Sequence, residues 1–126
     1  MRVSDVKVIS FPKWCEIQAK IQSDSTGKSF RIRYCFPPAL KELLDSDNGD
    51  PFLPALLLPA MRLGEQLEIP APVSSKLFAA VPKIQSIYRR WDPKLSEVPL
   101  KVPIREEQSR ALEAKNVGLF FSCGVD

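Results

Sequence analysis

Hydrophobic and polar residues alternate over most of the first 36 positions, a pattern typical of β-strands. In residues 14–22 the odd positions are Cys, Ile, Ala and Ile, and the even positions from 16 onward are polar, which is the period of two that a half-buried strand shows. Residues 28–36 alternate in the same way, and the glycine-containing run 23–27 between them predicts a hairpin turn. A shorter run, 6–11, predicts a third strand that ends at Pro12, because proline has no amide proton to donate to a ladder.

The middle of the chain predicts two helices with prolines inside them. The pair Asp50-Pro51 suits the N-cap and first position of a helix whose apolar residues share one face until Gly64 ends it. A serine at 74 or 75 can cap a second helix, whose apolar residues recur at helical spacing between 77 and 88. An interior proline removes a hydrogen bond and kinks a helix. The two interior prolines are Pro59 and Pro82.

These elements together predict an α+β fold, with N-terminal antiparallel strands and a hairpin, two proline-kinked helices and an edge strand. The edge strand is predicted within 98–104, where the even positions are apolar and the prolines fall at odd positions, on the polar side of the strand. We assign residues 1–104 to one α+β domain. Residues 105–115 are charged and predict a linker or a short surface helix, and residues 116–121 predict a short apolar strand.

Composition removes several classes of enzyme before any motif is considered. The chain has 126 residues, a net charge of +3 and no histidine. Without histidine it cannot alone supply a Ser-His-Asp or Cys-His centre, an H-E-x-x-H zinc helix or a zinc finger with paired cysteine and histidine ligands. The mild charge predicts no nucleic-acid partner. No apolar run has the roughly 20 residues of a membrane span, so no membrane partner is expected either.

Cysteine usage predicts a reduced, cytoplasmic protein. Cys15, Cys35 and Cys123 are dispersed, odd in number and without a C-x-x-C pair, so we expect neither a structural disulfide nor a metal site. The first residues lack the apolar stretch of a secretory signal.

Basic residues of the predicted hairpin raise two possibilities for anion binding. Gly27-Lys28-Ser29 matches the end of a Walker A loop, but the motif's first glycine is missing and a strand follows, so a hairpin turn is the preferred interpretation. Lys28, Arg31 and Arg33, with Lys7 and Lys20 on the same polar face, could bind phosphate or RNA. The neighbouring aromatic residues alternate with these basic residues and lie on the other face of the strand, where they cannot stack on the same bases. We therefore favour a polar sheet face that is exposed to solvent and binds no ligand.

Two further charged segments have structural explanations. The acidic run 45–50 resembles a calcium loop only faintly, because neither the glycine nor the glutamate of that loop falls at the required position. A polar turn followed by a helix cap is therefore preferred. The run 89–92, Arg-Arg-Trp-Asp, suits either an interface or the basic C-terminus of a helix.

The last eight residues, LFFSCGVD at 119–126, place a small-residue turn directly after an apolar strand. They resemble the opening of the S-G-G-x-D-S loop of the PP-loop ATP pyrophosphatases, the superfamily of asparagine, GMP and NAD synthetases and the tRNA thiolation enzymes. Residues 50–61 and 72–74 also resemble the N-terminal region of large bacterial proteins of that superfamily. Cys123 stands where the family has its first loop glycine, and a side chain there narrows the approach of phosphate.

The resemblance implies a nucleotide site in the full-length protein. Ser122, Gly124 and the backbone around Cys123 would contact the pyrophosphate of ATP, and Asp126 would hold the loop or Mg²⁺. Residues 116–126 would then begin a truncated PP-loop domain. We expect no catalysis and no cofactor in this fragment, since the motif's second serine and the missing C-terminal catalytic domain lie beyond Asp126.

A function of a different class stays open beside the first hypothesis. The chain could be a self-contained protein-interaction module without catalysis, for example a homodimer, in which the C-terminal strand pairs with a partner. The proline-rich edge strand and the apolar pair Phe120-Phe121 favour this alternative. The substrate that the full-length protein would adenylate is not identified by any residue pattern.

Overall fold

A computed structural model describes residues 1–106 of the chain. The three predicted N-terminal strands are present as an antiparallel meander, in which β2 pairs with both neighbours. Their bounds are β1 Arg2–Ser10, β2 Cys15–Gln22 and β3 Ser29–Phe36. The predicted hairpin turn is closed by a hydrogen bond of 2.9 Å from the Ser23 amide to the Lys28 carbonyl. Gly27 has a φ of 67° in this turn, a conformation that glycine adopts without steric cost.

Both predicted helices are confirmed, with the prolines inside them. They are α1 Phe52–Leu63 and α2 Ser75–Trp91, and a 3-10 turn at Pro38–Leu43 precedes α1. Gly64 ends α1 in the left-handed conformation at φ 65°. The predicted capping role of Asp50 is wrong: α1 has no side-chain cap, and the first amides of the helix, at Phe52 and Leu53, donate to the carbonyl of Gly49.

Four two-residue strands complete the two sheets. The chain passes through β4 Leu67–Glu68, β5 Val73–Ser74, β6 Leu100–Lys101 and β7 Ile104–Arg105. The larger sheet has the order β3-β2-β1-β4-β6, with β4 parallel to both β1 and β6, and β5 pairs with β7 in parallel as a second small sheet. The single edge strand predicted within 98–104 is therefore divided between the two sheets. The predicted α+β class is confirmed.

One face of the larger sheet and the two helices enclose the hydrophobic core. The odd-numbered apolar residues of β2 are buried in it, together with the apolar face of α1. On the far side of the core, the Gln85 side chain donates to the Val98 carbonyl and accepts from the Val98 amide, at 3.2 and 2.7 Å. These two bonds fix the segment after α2, which carries buried Leu95 and Val98, against the helix.

The opposite face of the sheet, here called the outer face, carries polar side chains. It is formed by the residues of β1, β2 and β3 that alternate with the core positions. A bulge in β1 between Ser4 and Lys7 shifts the register by one residue, and Asp5 adopts a φ of 53° there. Because a bulge reverses the side on which later residues fall, Ser4 and Lys7 both lie on the outer face.

Candidate functional site

The four residues that the sequence predicts to bind pyrophosphate lie outside the described residues. They are Ser122, Cys123, Gly124 and Asp126. Of the predicted linker at 105–115, residues 107–115 also lie outside them, as does the predicted apolar strand at 116–121, whereas Arg105 lies in β7. The candidate sites that the structure does place are the N-terminal ammonium, the acidic run 45–50 and the basic residues of the outer face.

The N-terminal ammonium is held in a buried polar cluster. The Met1 nitrogen lies 2.9 Å from a Glu65 carboxylate oxygen, 2.9 Å from Asp24 Oδ2 and 2.7 Å from the carbonyl oxygen of Gln66. The Glu65 carboxylate also accepts from the Ser23 hydroxyl at 2.6 Å and from the Ser25 amide at 2.9 Å. Glu65 is 7% exposed, so this ion pair is shielded from water.

Hydrogen bonding inside this cluster shifts both titrating groups toward their charged forms. Burial alone would raise the pKa of Glu65, but hydrogen bonds from Ser23, Ser25 and the ammonium hold that pKa well below its usual range. Burial likewise opposes the charge on the Met1 amine, and its bonds to Glu65 and Asp24 outweigh that effect and raise its pKa. A carboxylate locked in this way is a structural group and a poor general base at neutral pH.

The acidic run 45–50 forms a turn that contacts both strands of the small sheet. The Asp50 carboxylate accepts from the Ser74 amide at 2.7 Å and lies 3.4 Å from the Arg105 guanidinium. Asp45 accepts from the Asp47 amide in the same turn. Within residues 1–106 no group of three or more acidic or thiol side chains is arranged to hold a metal ion. The preference for a polar turn over a calcium loop is consistent with these contacts.

The run Gly27-Lys28-Ser29 is part of the hairpin turn, as the sequence predicts. β3 begins at Ser29 and no helix follows, so the geometry of a Walker A loop is absent at this position.

Four of the five basic residues predicted to share a polar face do share one. We define the cationic face as the outward side chains of Lys7, Lys20, Arg31 and Arg33. Across the sheet, Lys20 of β2 lies directly opposite Arg31 of β3. Two residues earlier on β2, Gln18 lies between Lys7 of β1 and Arg33 of β3, and such a line of register partners is called a row below. Directly opposite residues have Cβ atoms about 5 Å apart, so the four cations form one compact group. Lys28 lies in the turn beside it.

An aromatic pair at the β1–β2 turn was missed by sequence reasoning. The rings of Phe11 and Trp14 have centroids 4.8 Å apart and are 37% and 41% exposed. The Phe11 amide donates to the Trp14 carbonyl at 2.8 Å, which extends the ladder by one pair beyond Ser10 and Cys15. Since the Cys15 side chain is buried on the core side, alternation places both rings on the outer face. The break that Trp14 makes in the alternating pattern was the available signal.

The run 89–92 ends α2. Arg89 forms an ion pair of 2.7 Å with Glu97, and the Asp92 amide donates to the Tyr88 carbonyl. Trp91 is 74% exposed and packs edge-on against Tyr88. The helix-terminus interpretation accounts for this segment.

Comparisons with known proteins identify no similar protein: the chain matches no protein-family model, no curated protein and no solved structure. Neither helix of residues 1–106 has the length and apolar character needed to cross a membrane.

Proposed function

We propose that residues 1–104 form an accessory domain that precedes a PP-loop ATP-binding segment in a bacterial, cytoplasmic, ATP-dependent adenylating enzyme. The observation that carries this proposal is the sequence at 119–126, in which the end of the predicted apolar strand is followed by Ser122-Cys123-Gly124-Val125-Asp126. A strand that leads into a small-residue turn presents backbone N–H groups to an anion. In this proposal Ser122, Gly124 and the Cys123 backbone bind pyrophosphate, and Asp126 holds the loop or Mg²⁺.

The fold supports an accessory role for the residues before that segment. The buried core runs from Met1 to Val98 and is closed by its own two helices. The one strongly perturbed carboxylate in the described range, that of Glu65, is engaged by the N-terminal ammonium and two serines. In this proposal chemistry on ATP belongs to a C-terminal catalytic domain, which would supply the rest of the nucleotide site.

Replacing Cys123 by glycine should strengthen the binding of magnesium pyrophosphate to this chain. The substitution restores the family's loop glycine and removes the side chain that stands between the anion and the backbone amides. We expect the unchanged chain to bind more weakly than about 1 mM, with at least a threefold gain for C123G, measured by calorimetric titration at low salt.

The matched control is Cys35→Gly, which removes an exposed thiol from β3 and should leave pyrophosphate binding unchanged. Equal binding by C123G and the unchanged chain would contradict the proposed loop. Micromolar ATP binding by the unchanged chain would contradict the assignment of the rest of the site to another domain.

A second candidate is the interaction module, which one observation favours. β3 lies at the edge of the larger sheet, so within the described residues its outer backbone groups have no strand partner. An eight-residue edge with Phe30 45% exposed is suited to antiparallel pairing with a second copy.

The homodimer predicts a concentration-dependent sedimentation coefficient in the micromolar range. Phe30→Lys should abolish dimerisation, because it places a charge on the core-facing side of the edge strand, where β3 otherwise carries apolar residues and pairs Phe30 with buried Ile21. Ile87→Lys, at an equally exposed position on α2, is the control. A monomer at every concentration up to about 1 mM would exclude this candidate.

A further inference from the structure

The cationic face carries charge that the described chain leaves uncompensated. Lys20, Arg31 and Arg33 lie more than 4.0 Å from every carboxylate in residues 1–106, whereas Arg2, Arg62, Arg89 and Arg105 each form an ion pair. Lys20 and Arg31 are like charges placed directly opposite each other, an arrangement that destabilises a sheet. A bound polyanion would remove this repulsion.

Nearby acidic groups form no ion pair with Lys20, Arg31 or Arg33. Glu16 lies on the outer face but is only 4% exposed, and its carboxylate accepts from the Cys35 thiol at 3.8 Å. Asp5 pairs with Lys7 at 3.2 Å, but both side chains are nearly half exposed, and such pairs contribute little to stability. A ligand that approaches from solvent therefore meets the ammonium and guanidinium groups first.

The same face offers groups that recognise a nucleotide beyond its phosphate. Trp14 lies four residues before Gln18 on β2, so the aromatic pair is roughly 13 Å along the strand from the row that holds Lys7 and Arg33. A hollow of about 190 Å³ lies between Lys20 and Arg31 and is also lined by Ser29 and Phe30. Gln22 and Ser29, both exposed, occupy the next row and present amide and hydroxyl groups.

We propose that the outer face binds single-stranded RNA. Lys20, Arg31 and Arg33 contact successive phosphates, while unpaired bases stack on Trp14 and Phe11. An open sheet with exposed rings suits single strands, because the bases of a duplex are already stacked on one another. Gln22 and Ser29 are placed to bond 2′-hydroxyls, the groups that distinguish RNA from DNA. The low net charge predicted no nucleic-acid partner, but it averages over the whole chain, whereas Lys20, Arg31 and Arg33 lie together on one sheet face without an ion pair in residues 1–106.

The proposal is tested by the anisotropy of a fluorescently labelled twelve-residue oligouridylate titrated with the full chain. At low salt we expect micromolar binding, with a slope of log K against log salt of about −2, since three phosphate contacts contribute about −0.7 each. The double variant R31Q/R33Q should lose at least about tenfold in affinity and reduce the slope to about −0.7. K83Q/R90Q removes the same charge from the exposed side of α2 and should bind like the unchanged chain.

Base stacking is tested in the W91F background, where Trp14 is the only tryptophan. RNA should quench Trp14 fluorescence, and W14A should weaken binding by about tenfold. Oligodeoxythymidylate of the same length should bind at least about threefold more weakly than RNA.

Three outcomes would overturn the proposal: no binding tighter than about 1 mM, an equal loss in R31Q/R33Q and K83Q/R90Q, or unchanged Trp14 fluorescence at saturation. Equal affinity for RNA and DNA would overturn the assignment to RNA. Circular dichroism of each variant verifies that the fold is retained.

Discussion

Replacing Glu65 by glutamine is expected to lower the free energy of unfolding by about 3 kcal/mol, because it removes the buried carboxylate that pairs with the Met1 ammonium and accepts hydrogen bonds from Ser23 and Ser25. The ammonium of Met1 would then keep only Asp24, which is half exposed, as its carboxylate partner. Glutamine is nearly the same size as glutamate, so the change tests charge and hydrogen bonding with little effect on packing. Urea unfolding at pH 7 measures the difference.

Glu68→Gln is the matched control for this substitution. Glu68 forms ion pairs with Lys101 and Arg2 at the surface. Solvent screens such pairs, so their loss should matter much less. If the two substitutions proved equally mild, the buried cluster would not be the stabilising feature that its geometry implies.

The cluster also predicts how stability depends on pH. The lowered pKa of Glu65 means that its contribution is present above about pH 4.3 and is lost as the pH falls toward the folded-state pKa. The raised pKa of the Met1 amine means that its contribution is present below about pH 8 and is lost as the pH rises through the folded-state pKa. Glu65→Gln should reduce the loss of stability at both acid and alkaline pH. If the free energy of unfolding fell equally steeply with pH in the variant and the unchanged chain, this explanation would be contradicted.

Gly49→Ala should lower the free energy of unfolding by about 3 kcal/mol, because the new methyl group has no space. A Cβ atom on Gly49 would lie 2.5 Å from the Ala71 carbonyl oxygen and 3.0 Å from Val73 Cγ2. The Gly49 amide donates to the Pro72 carbonyl at 2.8 Å, so the backbone at Gly49 cannot move away from residues 71–73 without losing that hydrogen bond.

Gly64→Ala provides the comparison for Gly49. Gly64 has a φ of 65°, and no atom lies within 4 Å of a Cβ added to it. Its substitution should therefore lower the free energy of unfolding by only about 1 kcal/mol, the energy that an alanine needs to adopt the left-handed conformation. Thermal unfolding of both variants measures the difference. A smaller loss for Gly49→Ala than for Gly64→Ala would show that the segment at 71–73 moves aside.

Regular elements were predictable from the sequence because their periodicity extends over many residues. β2 and β3 alternate over eight positions each, and α1 carries its own stop at Gly64. Of the four short strands, β6 and the start of β7 fall within the strand predicted at 98–104. Their division between two sheets and their parallel pairing were not predictable, since two residues define no period and the pairing joins distant parts of the chain. Asp50 shows the same limit: its local context predicts a helix cap, but its carboxylate bonds the distant amide of Ser74.

The residues of the candidate sites likewise include some that the sequence predicts and some that it does not. The basic residues of the cationic face were predictable because each lies on the polar phase of an alternating strand. The aromatic pair was not, because Phe11 and Trp14 lie in the turn, where alternation is interrupted by Pro12 and Lys13. The partnership of Glu65 with the N-terminus was also invisible, since it joins residues 64 positions apart through tertiary packing alone.

The proposal that an accessory domain precedes a pyrophosphate-binding loop is tested most directly by mapping where magnesium pyrophosphate acts on the chain. Amide chemical shifts of the uniformly ¹⁵N-labelled chain, followed through a titration at low salt, report each residue separately. We expect shifts at 119–126 that are larger for C123G than for the unchanged chain, whereas any shifts within residues 1–104, including those at the cationic face, should be equal in the two proteins. Shifts absent from 119–126 in both proteins would contradict the proposed function.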